Sequence, residues 1–370
     1  MSPLLDLSTT YEFDDTDEFA AASQSKLGDG YVYSRWANPT VDALEAAVAD
    51  LEGAAGSEAF SSGMAAIAGT FLALCEAGDR IVAVRQLYGG TYSLLSEMLP
   101  RYGIETTFVD VADHDALAAP LRGAKLLYCE TIGNPVVQVA DLPAFAAAAQ
   151  EAAVPLVVDN TFATPILCRP IEHGAAVVLH SATKYIGGHN DLLGGIVCTS
   201  DALLEKIRHY TLEFGPTMSP FNAWLGLRGM TTMSLRVERA CDNALAVAKA
   251  LQAHPDIETV YYPGLEDDPS KNLADELLGG RGGGVLGFDV TGGKERAARF
   301  QSRLQLVKRA ASLGGIRSLI VHAASVTHTQ LSESELRAAG ISEGFCRLSV
   351  GIEDAEDIID DLEQALKSTD

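Results

Sequence analysis

Between residues 80 and 200, short runs of β-branched and other apolar residues alternate with alanine-rich stretches. That alternation predicts a parallel sheet wrapped by helices. The strands fall at 81–84, 106–109, 125–129, 156–159, 177–180 and 195–198, and helices fill the intervals. Asp141-Leu142-Pro143 supplies an N-cap and an early proline, and residues 144–153 continue in strong helix formers. A long helical pattern over about 221–254 follows Gly215-Pro216 and leads out of this region. Beyond it the pattern changes to strands near 259–262, 285–290 and 345–350, with helices near 294–303 and 354–366, which predicts a smaller α+β unit. The cluster Gly279-Gly280-Arg281-Gly282-Gly283-Gly284 reads as a flexible turn before a strand; with no helix after it, it is a poor phosphate cradle. Before about residue 38 periodicity is weak, but Tyr31-Val32-Tyr33-Ser34-Arg35-Trp36 sets aromatic and basic groups in an irregular arm, a segment suited to contacting something outside its own domain. The organisation expected is an arm at 1–40, a large domain at 41–235 and a small domain at 236–370.

Composition narrows the possibilities without choosing a chemistry. At 370 residues and 47% hydrophobic content the chain can bury a large core, and two or three domains are expected at roughly 150 residues each. With Lys+Arg 27 against Asp+Glu 50, a net charge of −23 repels nucleic acid and anionic membrane. A salt-rich habitat and an ordinary acidic enzyme account for that charge equally well. No apolar run approaches the roughly 20 residues of a membrane span, and residues 1–11 lack the features of a signal peptide. Cys75, Cys129, Cys168, Cys198, Cys241 and Cys346 are scattered without a C-x-x-C pair, most of them in apolar runs, and read as buried free thiols in a reducing compartment, the cytoplasm. The eight histidines form no H-E-x-x-H and no tight cluster, so no metal site is expected.

Chemistry enters where two predicted strands end in polar residues. The run at 155–158 leads into Asp159-Asn160-Thr161, and the run at 175–179 leads into Ser181-Ala182-Thr183-Lys184. A lysine leaving a buried strand is desolvated toward its neutral, nucleophilic form, as a Schiff-base lysine requires. The aspartate on the neighbouring strand suits the protonated ring nitrogen of pyridoxal phosphate. A structural Lys–Asp pair accounts for these two residues equally well. Ser61-Ser62-Gly63-Met64 precedes a helix whose first N–H groups suit an anion, though it is also an ordinary cap. Leu87-Tyr88-Gly89-Gly90 puts at a strand end a tyrosine able to stack on a pyridine ring and transfer a proton, and equally able to sit in a core. Tyr88, Asn134, Asp159 and Lys184 all lie beyond the carboxyl ends of predicted strands, where ligands bind in such sheets.

The ordered set of motifs resembles the Cys/Met-metabolism family of pyridoxal phosphate enzymes, from about residue 8 to the C-terminus. It comprises Tyr33-Ser34-Arg35 with Asn38-Pro39-Thr40, Ser62-Gly63-Met64, Tyr88-Gly89-Gly90, Asn134-Pro135, Val157-Val158-Asp159-Asn160-Thr161 and His180-Ser181-Ala182-Thr183-Lys184-Tyr185. Ser312-Leu313-Gly314-Gly315, Thr327-His328 and Arg347-Leu348-Ser349-Val350-Gly351 complete it. The resemblance implies an α/β protein of the pyridoxal-phosphate-dependent transferase fold, fold type I and aspartate aminotransferase-like. Lys184 would anchor the cofactor and act as the base, Asp159 would pair with its ring nitrogen, and Tyr88 would stack on the ring and donate a proton. Gly63, Met64, Ser181 and Thr183 would bind its phosphate. Tyr33 and Arg35 would reach the phosphate of a neighbouring subunit, implying a homodimer with shared sites, usually doubled to a tetramer. Arg347 would bind the α-carboxylate of an amino-acid substrate, helped by Asn134 and Ser312. The implied activity is trans-sulfuration: elimination or replacement at the γ-carbon of a sulfur-containing or O-acylated homoserine-type amino acid.

Within the family the pattern divides. Ala311 stands where cystathionine γ-synthases and γ-lyases carry a glutamate for the distal amino group, and Gly90 stands where methionine γ-lyases carry a cysteine. Tyr88-Gly89-Gly90-Thr91-Tyr92, Arg317-Ser318-Leu319 and Thr327-His328-Thr329-Gln330-Leu331 lean toward O-acylhomoserine sulfhydrylases, which tend to be longer. Little of the family's usual arm precedes Ser8-Thr9-Thr10-Tyr11, so either reduced tetramer contacts or a late-assigned start is expected. The nominal label is cystathionine γ-synthase/γ-lyase, with methionine γ-lyase and O-acylhomoserine sulfhydrylase as alternatives. Outside the family stand an aminotransferase-like relative and a non-catalytic binding protein; intact Lys184, Tyr88 and Arg347 argue against the latter.

Overall fold

The computed structural model of the chain describes residues 3–24, 30–112, 116–326, 336 and 340–367. The Thr327-His328 motif and the residues just after it lie outside them. Seven strands form the first sheet: β1 (Gly56–Phe60), β2 (Arg80–Val84), β3 (Glu105–Val109), β4 (Leu126–Glu130), β5 (Leu156–Asp159), β6 (Val177–His180) and β7 (Gly195–Thr199). Their order across the sheet is β1-β7-β6-β5-β4-β2-β3. The run from β6 to β3 is parallel throughout. While the edge strand β3 is only partly buried, strands β2, β4, β5 and β6 are buried almost end to end, as a sheet covered on both faces demands. Phe60, Phe71, Tyr128 and Phe145 are fully buried in its core, each contributing about 1.5–3 kcal/mol on burial.

Two features of this sheet differ from the sequence expectation. β7 runs antiparallel to both β1 and β6. Parallel pairing needs a crossover, usually helical, and residues 181–194 form turns without a helix, so the chain returns the opposite way. The strand β1 was not expected at all, because Glu58 interrupts its apolar run; the carboxylate is buried 3.9 Å from Arg208 Nε. Since β7 opposes both neighbours, β1 points the same way as β2–β6, and its carboxyl end opens on the same edge.

The second sheet contains β8 (Ile257–Tyr261), β9 (Val285–Val290), β10 (Lys308–Arg309), β11 (Leu319–His322) and β12 (Phe345–Ser349), in the order β10-β11-β12-β9-β8. Sequence reading anticipates β8, β9 and β12 but neither β10 nor β11; a two-residue and a four-residue run carry no decisive period. The closing helix Ala355–Lys367 buries Ile358, Leu362, Ala365 and Leu366, a 3.6-residue stripe laid on the core of this sheet. The loop 279–284 is less free than its glycines suggest: Gly283 O accepts from the buried Tyr262 hydroxyl at 2.9 Å and Gly284 O from Val350 N–H at 2.9 Å.

The long helical pattern at 221–254 is two helices, Pro220–Met230 and Met233–Gln252. No proline marks the break. Arg236 stabilises it, donating through Nη2 to Gly229 O at 2.7 Å, through Nη1 to Tyr185 O at 2.8 Å and through Nε to Thr232 Oγ1 at 3.1 Å. Those bonds satisfy a carbonyl at the end of the first helix and tie the break to the turn after β6. Among the described residues no helix is long and apolar enough to cross a membrane, and all six cysteines are buried and unpaired by disulfides.

Candidate active site

The carboxyl ends of β1, β2, β4, β5 and β6 open onto one cavity of about 260 Å³, and residues 311–313 together with Arg347 of β12 close it from the second sheet. Lys184 sits in the turn after β6, its N–H bonded to Ser181 O at 3.0 Å and its carbonyl to Gly188 N–H at 2.7 Å. Lys184 Nζ donates to Ser312 Oγ at 3.2 Å, across the gap between the sheets. Burial, and then the positive charge of Arg347, push this amine down to about 8. A useful fraction is therefore neutral near pH 7, which a nucleophile or base requires.

Asp159 ends β5. Its carboxylate accepts from Thr161 N–H at 2.9 Å; burial raises its pKa, while the Thr161 bonds and nearby His180 pull it back. Behind it His180 Nε2 lies 2.5 Å from Glu52 Oε1, which also accepts from Asn160 Nδ2 at 3.0 Å. The anionic side of the site is thus embedded in a buried polar network.

Arg347 reaches in from the second sheet. Nη1 donates to Asn134 Oδ1 at 3.0 Å and Nη2 to Ser312 O at 3.2 Å, while its buried Nε has no partner among the described residues. Burial lowers its pKa to about 10. A desolvated guanidinium with unfilled donor capacity, facing a cavity, is a site for a carboxylate.

At the opposite wall, β1 runs into the helix Gly63–Leu74, which Ser62 caps by accepting from Ala65 N–H at 3.1 Å. A Cβ at Gly63 would lie 2.8 Å from Ser181 Cβ and Oγ. Only glycine lets the helix start and the turn after β6 come this close, and together they form a cradle suited to a phosphate. Ser181 N–H donates to Thr161 Oγ1 at 2.8 Å, and Thr183 Oγ1 exchanges bonds with Gly194 at 3.1 and 3.3 Å. An amine with a lowered pKa, a half-buried carboxyl and an anion cradle are what the aldehyde, ring nitrogen and phosphate of pyridoxal phosphate require.

Lys184, Asp159, Tyr88, Gly63, Met64, Ser181, Thr183, Asn134, Ser312 and Arg347 all line this cavity. Tyr33 and Arg35 do not. Tyr33 forms an isolated bridge with Thr10, and the Arg35 guanidinium donates to the carbonyl of Leu212 and lies 5.9 Å from the centre of the Tyr33 ring. Sequence reading missed Glu130, Phe162 and Leu193, which also line the cavity. Glu130 had a signal, an acidic residue closing an otherwise apolar strand; the two apolar groups had none.

Fold and site together define a fold type I, pyridoxal phosphate-dependent enzyme. The chain belongs to the Cys/Met metabolism PLP-dependent enzymes, whose family model matches residues 1–367. It is 43% identical to the cystathionine gamma-lyase of Bacillus subtilis over 93% of this chain and 91% of that protein, and 42% identical to the L-methionine gamma-lyase of Pseudomonas putida over 96% and 89%. A solved structure of cystathionine gamma synthase from Xanthomonas oryzae, in complex with aminoacrylate and cysteine, superposes with a TM-score of 0.93 at 37% identity, covering 100% of this chain and 93% of that one. The cofactor is pyridoxal phosphate and the substrate an amino acid.

Proposed function

We propose that the chain catalyses γ-elimination or γ-replacement on a sulfur-containing or O-acylated homoserine-type amino acid, nominally as a cystathionine γ-synthase or γ-lyase. One observation carries this reading: a lowered-pKa amine, a half-buried carboxyl and an arginine with an unpaired Nε converge on one cavity. Bound pyridoxal phosphate supplies an electron sink for the electron pairs left by proton removal. Lys184 would anchor it, and once the substrate amine has displaced Lys184 the freed amine takes protons from substrate Cα and Cβ. Asp159 holds a proton at the ring nitrogen. Gly63, Met64, Ser181 and Thr183 bind the phosphate, and Arg347 orients the α-carboxylate with Asn134 and Ser312. Tyr88, 43% exposed at the mouth, gives a proton to the departing γ-group.

The Lys184 assignment has a pH signature. Reattachment of pyridoxal phosphate to the cofactor-free protein is expected to accelerate as pH rises through about 8 and to level off above it. A lysine of ordinary pKa would keep accelerating roughly tenfold per unit through pH 9. Absorbance stopped-flow between pH 6.5 and 9.5 separates the two, and a rise without a plateau contradicts the assignment.

Ala311 favours a second reading within the same chemistry. It lines the cavity with a methyl group, so this position offers no charge to a distal ammonium group. That suits the substrates of an O-acylhomoserine sulfhydrylase or a methionine γ-lyase, which carry no distal ammonium group. Gly90 argues against a methionine γ-lyase cysteine at its position: a Cβ there would fall 2.5 Å from Tyr88 Cε1. Cystathionine, methionine, O-acetylhomoserine and O-succinylhomoserine, each with and without cysteine or sulfide, decide among these. Formation of 2-oxo acid and ammonia, or of a thioether, is expected from at least one pairing; transamination alone would refute γ-carbon chemistry.

The remaining roles fit a cytoplasmic homodimer, doubled to a tetramer. Tyr33 and Arg35 stand away from their own chain's cavity, as residues serving the phosphate of a neighbouring subunit must. We divide the chain into an arm at 1–40, a cofactor-binding domain at 41–235 and a small domain at 236–370. The helix Met233–Gln252 spans the last boundary, with Met233, Val237 and Cys241 in the first core and Ala244, Val247 and Leu251 in the second.

A further inference from the structure

Glu52 is wholly buried, and the roles above leave it unused. It is the last residue of the helix Pro39–Glu52, which stops at Gly53 in the left-handed conformation, φ 72°. One carboxyl oxygen makes all of its bonds. Oε1 accepts from Asn160 Nδ2 at 3.0 Å and lies 2.5 Å from His180 Nε2, while the buried Oε2 has no partner among the described residues. A buried carboxyl with an orphan oxygen destabilises a fold and calls for an explanation; the place of Oε1 supplies one. Asn160 follows Asp159 at the end of β5, and His180 ends β6 just before Ser181. Asp159 and Ser181 both line the cavity. Successive residues of an extended chain point to opposite sides, so Glu52 grips each strand end by the residue next to the one facing the cavity. Asn160 is fixed further: Nδ2 also donates to Cys168 O at 2.8 Å, and Oδ1 accepts from Thr131 Oγ1 at 2.8 Å. The backbone follows suit, with Thr131 N–H bonded to Asp159 O at 3.0 Å and Asn160 N–H to Leu179 O at 2.8 Å.

We propose that Glu52 is a positioning residue of the cofactor site: its one bonded oxygen ties the ends of β5 and β6 together from behind, setting Asp159 against Ser181 and the lysine turn at the spacing the cofactor needs. The proposal rests on the roles given above to Asp159, Ser181 and Lys184. Paired residues of the two strands end at Asp159 and Leu179. Past them the hub at Glu52, with the Ser181 N–H bond to Thr161 Oγ1 at 2.8 Å, holds the chains in place. Neither bond to Oε1 needs a negative charge. Glutamine keeps the one oxygen in use, with His180 donating through Nε2, and sets its NH₂ where Oε2 has no bond to lose. Alanine removes the hub, so the acceptor and not the charge is what this role requires.

The test compares the full chain as wild type, Glu52→Gln, Glu52→Ala and, to control for general loosening of the fold, Phe300→Leu in the core of the second sheet. Pyridoxal phosphate is titrated into each cofactor-free protein and followed by absorbance. Glu52→Ala is expected to weaken cofactor binding about tenfold to a hundredfold, the range for leaving buried donors unsatisfied. Glu52→Gln and Phe300→Leu should stay within about threefold of wild type. Hydrogen exchange on the cofactor-free proteins should be faster at the Thr131, Asn160 and Ser181 amides in Glu52→Ala alone. Unchanged affinity in Glu52→Ala, or an equal loss in either Glu52→Gln or Phe300→Leu, overturns the proposal. Should Glu52→Ala fail to fold, exchange in Glu52→Gln decides: protection of those three amides equal to wild type upholds the acceptor role, and faster exchange at any of them overturns it. A wild type that borohydride does not label at Lys184 defeats the underlying reading instead, a result distinct from labelled proteins whose cofactor affinities do not separate.

Discussion

Lys184→Ala is expected to lower turnover by at least about 10⁴-fold, because one substitution removes both the covalent anchor and the base. Borohydride reduction of the wild-type holoenzyme, followed by peptide mapping, should place the reduced cofactor on Lys184, and the variant should take up no label. Labelling at another lysine would remove Lys184 from its role. Stability should move the other way. The folded pKa of this amine is depressed to about 8, so between that value and the unfolded value of about 10.4 the unfolded chain binds more protons. Stability contributed by this group therefore rises with pH across that window and is at its lowest below it. At pH 7 the alanine variant should melt no lower than the cofactor-free wild type, and any advantage should shrink as pH approaches 10. A variant that is inactive because it is unfolded would fail this check.

Much of the site was legible because its residues sit where apolar strands stop. Asp159 and Lys184 each follow a run of buried β-branched residues, and the rule that ligands bind beyond the carboxyl ends of parallel strands brought them to one edge with Tyr88 and Asn134. What escaped was whatever depends on partners distant in sequence. Strand β1 carries Glu58, whose burial becomes tolerable only beside Arg208. The break between Pro220–Met230 and Met233–Gln252 lies at two threonines, and nothing local marks it, because the bonds from Arg236 that stabilise it belong to the tertiary structure. The reversal of β7 follows from the absence of a helix between 181 and 194, where the sequence shows glycine and polar residues but no period. Glu130 was visible as an acidic strand end, yet the N–H it accepts from, that of Tyr88, comes from the segment after a different strand. Tyr33 and Arg35 could be recognised by motif, but no residue of their own chain's cavity explains them.

Arg347→Ala should raise KM for the amino-acid substrate about a hundredfold or more, the cost of removing one partner from a buried, hydrogen-bonded charge pair, while the cofactor stays on Lys184. Arg347→Lys should recover little of this. A lysine supplies the charge but not the planar fork that holds Asn134 Oδ1 and Ser312 O while offering further donors to a carboxylate. Altered packing alone could also weaken substrate binding, so the decisive observation is electrostatic. The Arg347 charge is one of the two causes that depress the Lys184 amine. Removing it must raise that pKa, so the pH at which cofactor reattachment levels off should move upward from about 8 in Arg347→Ala and stay near the wild-type value in Arg347→Lys. A raised KM with the pH profile unmoved would mean that Arg347 shapes the cavity without sharing its field, and the link from β12 to the lysine after β6 would be mechanical only.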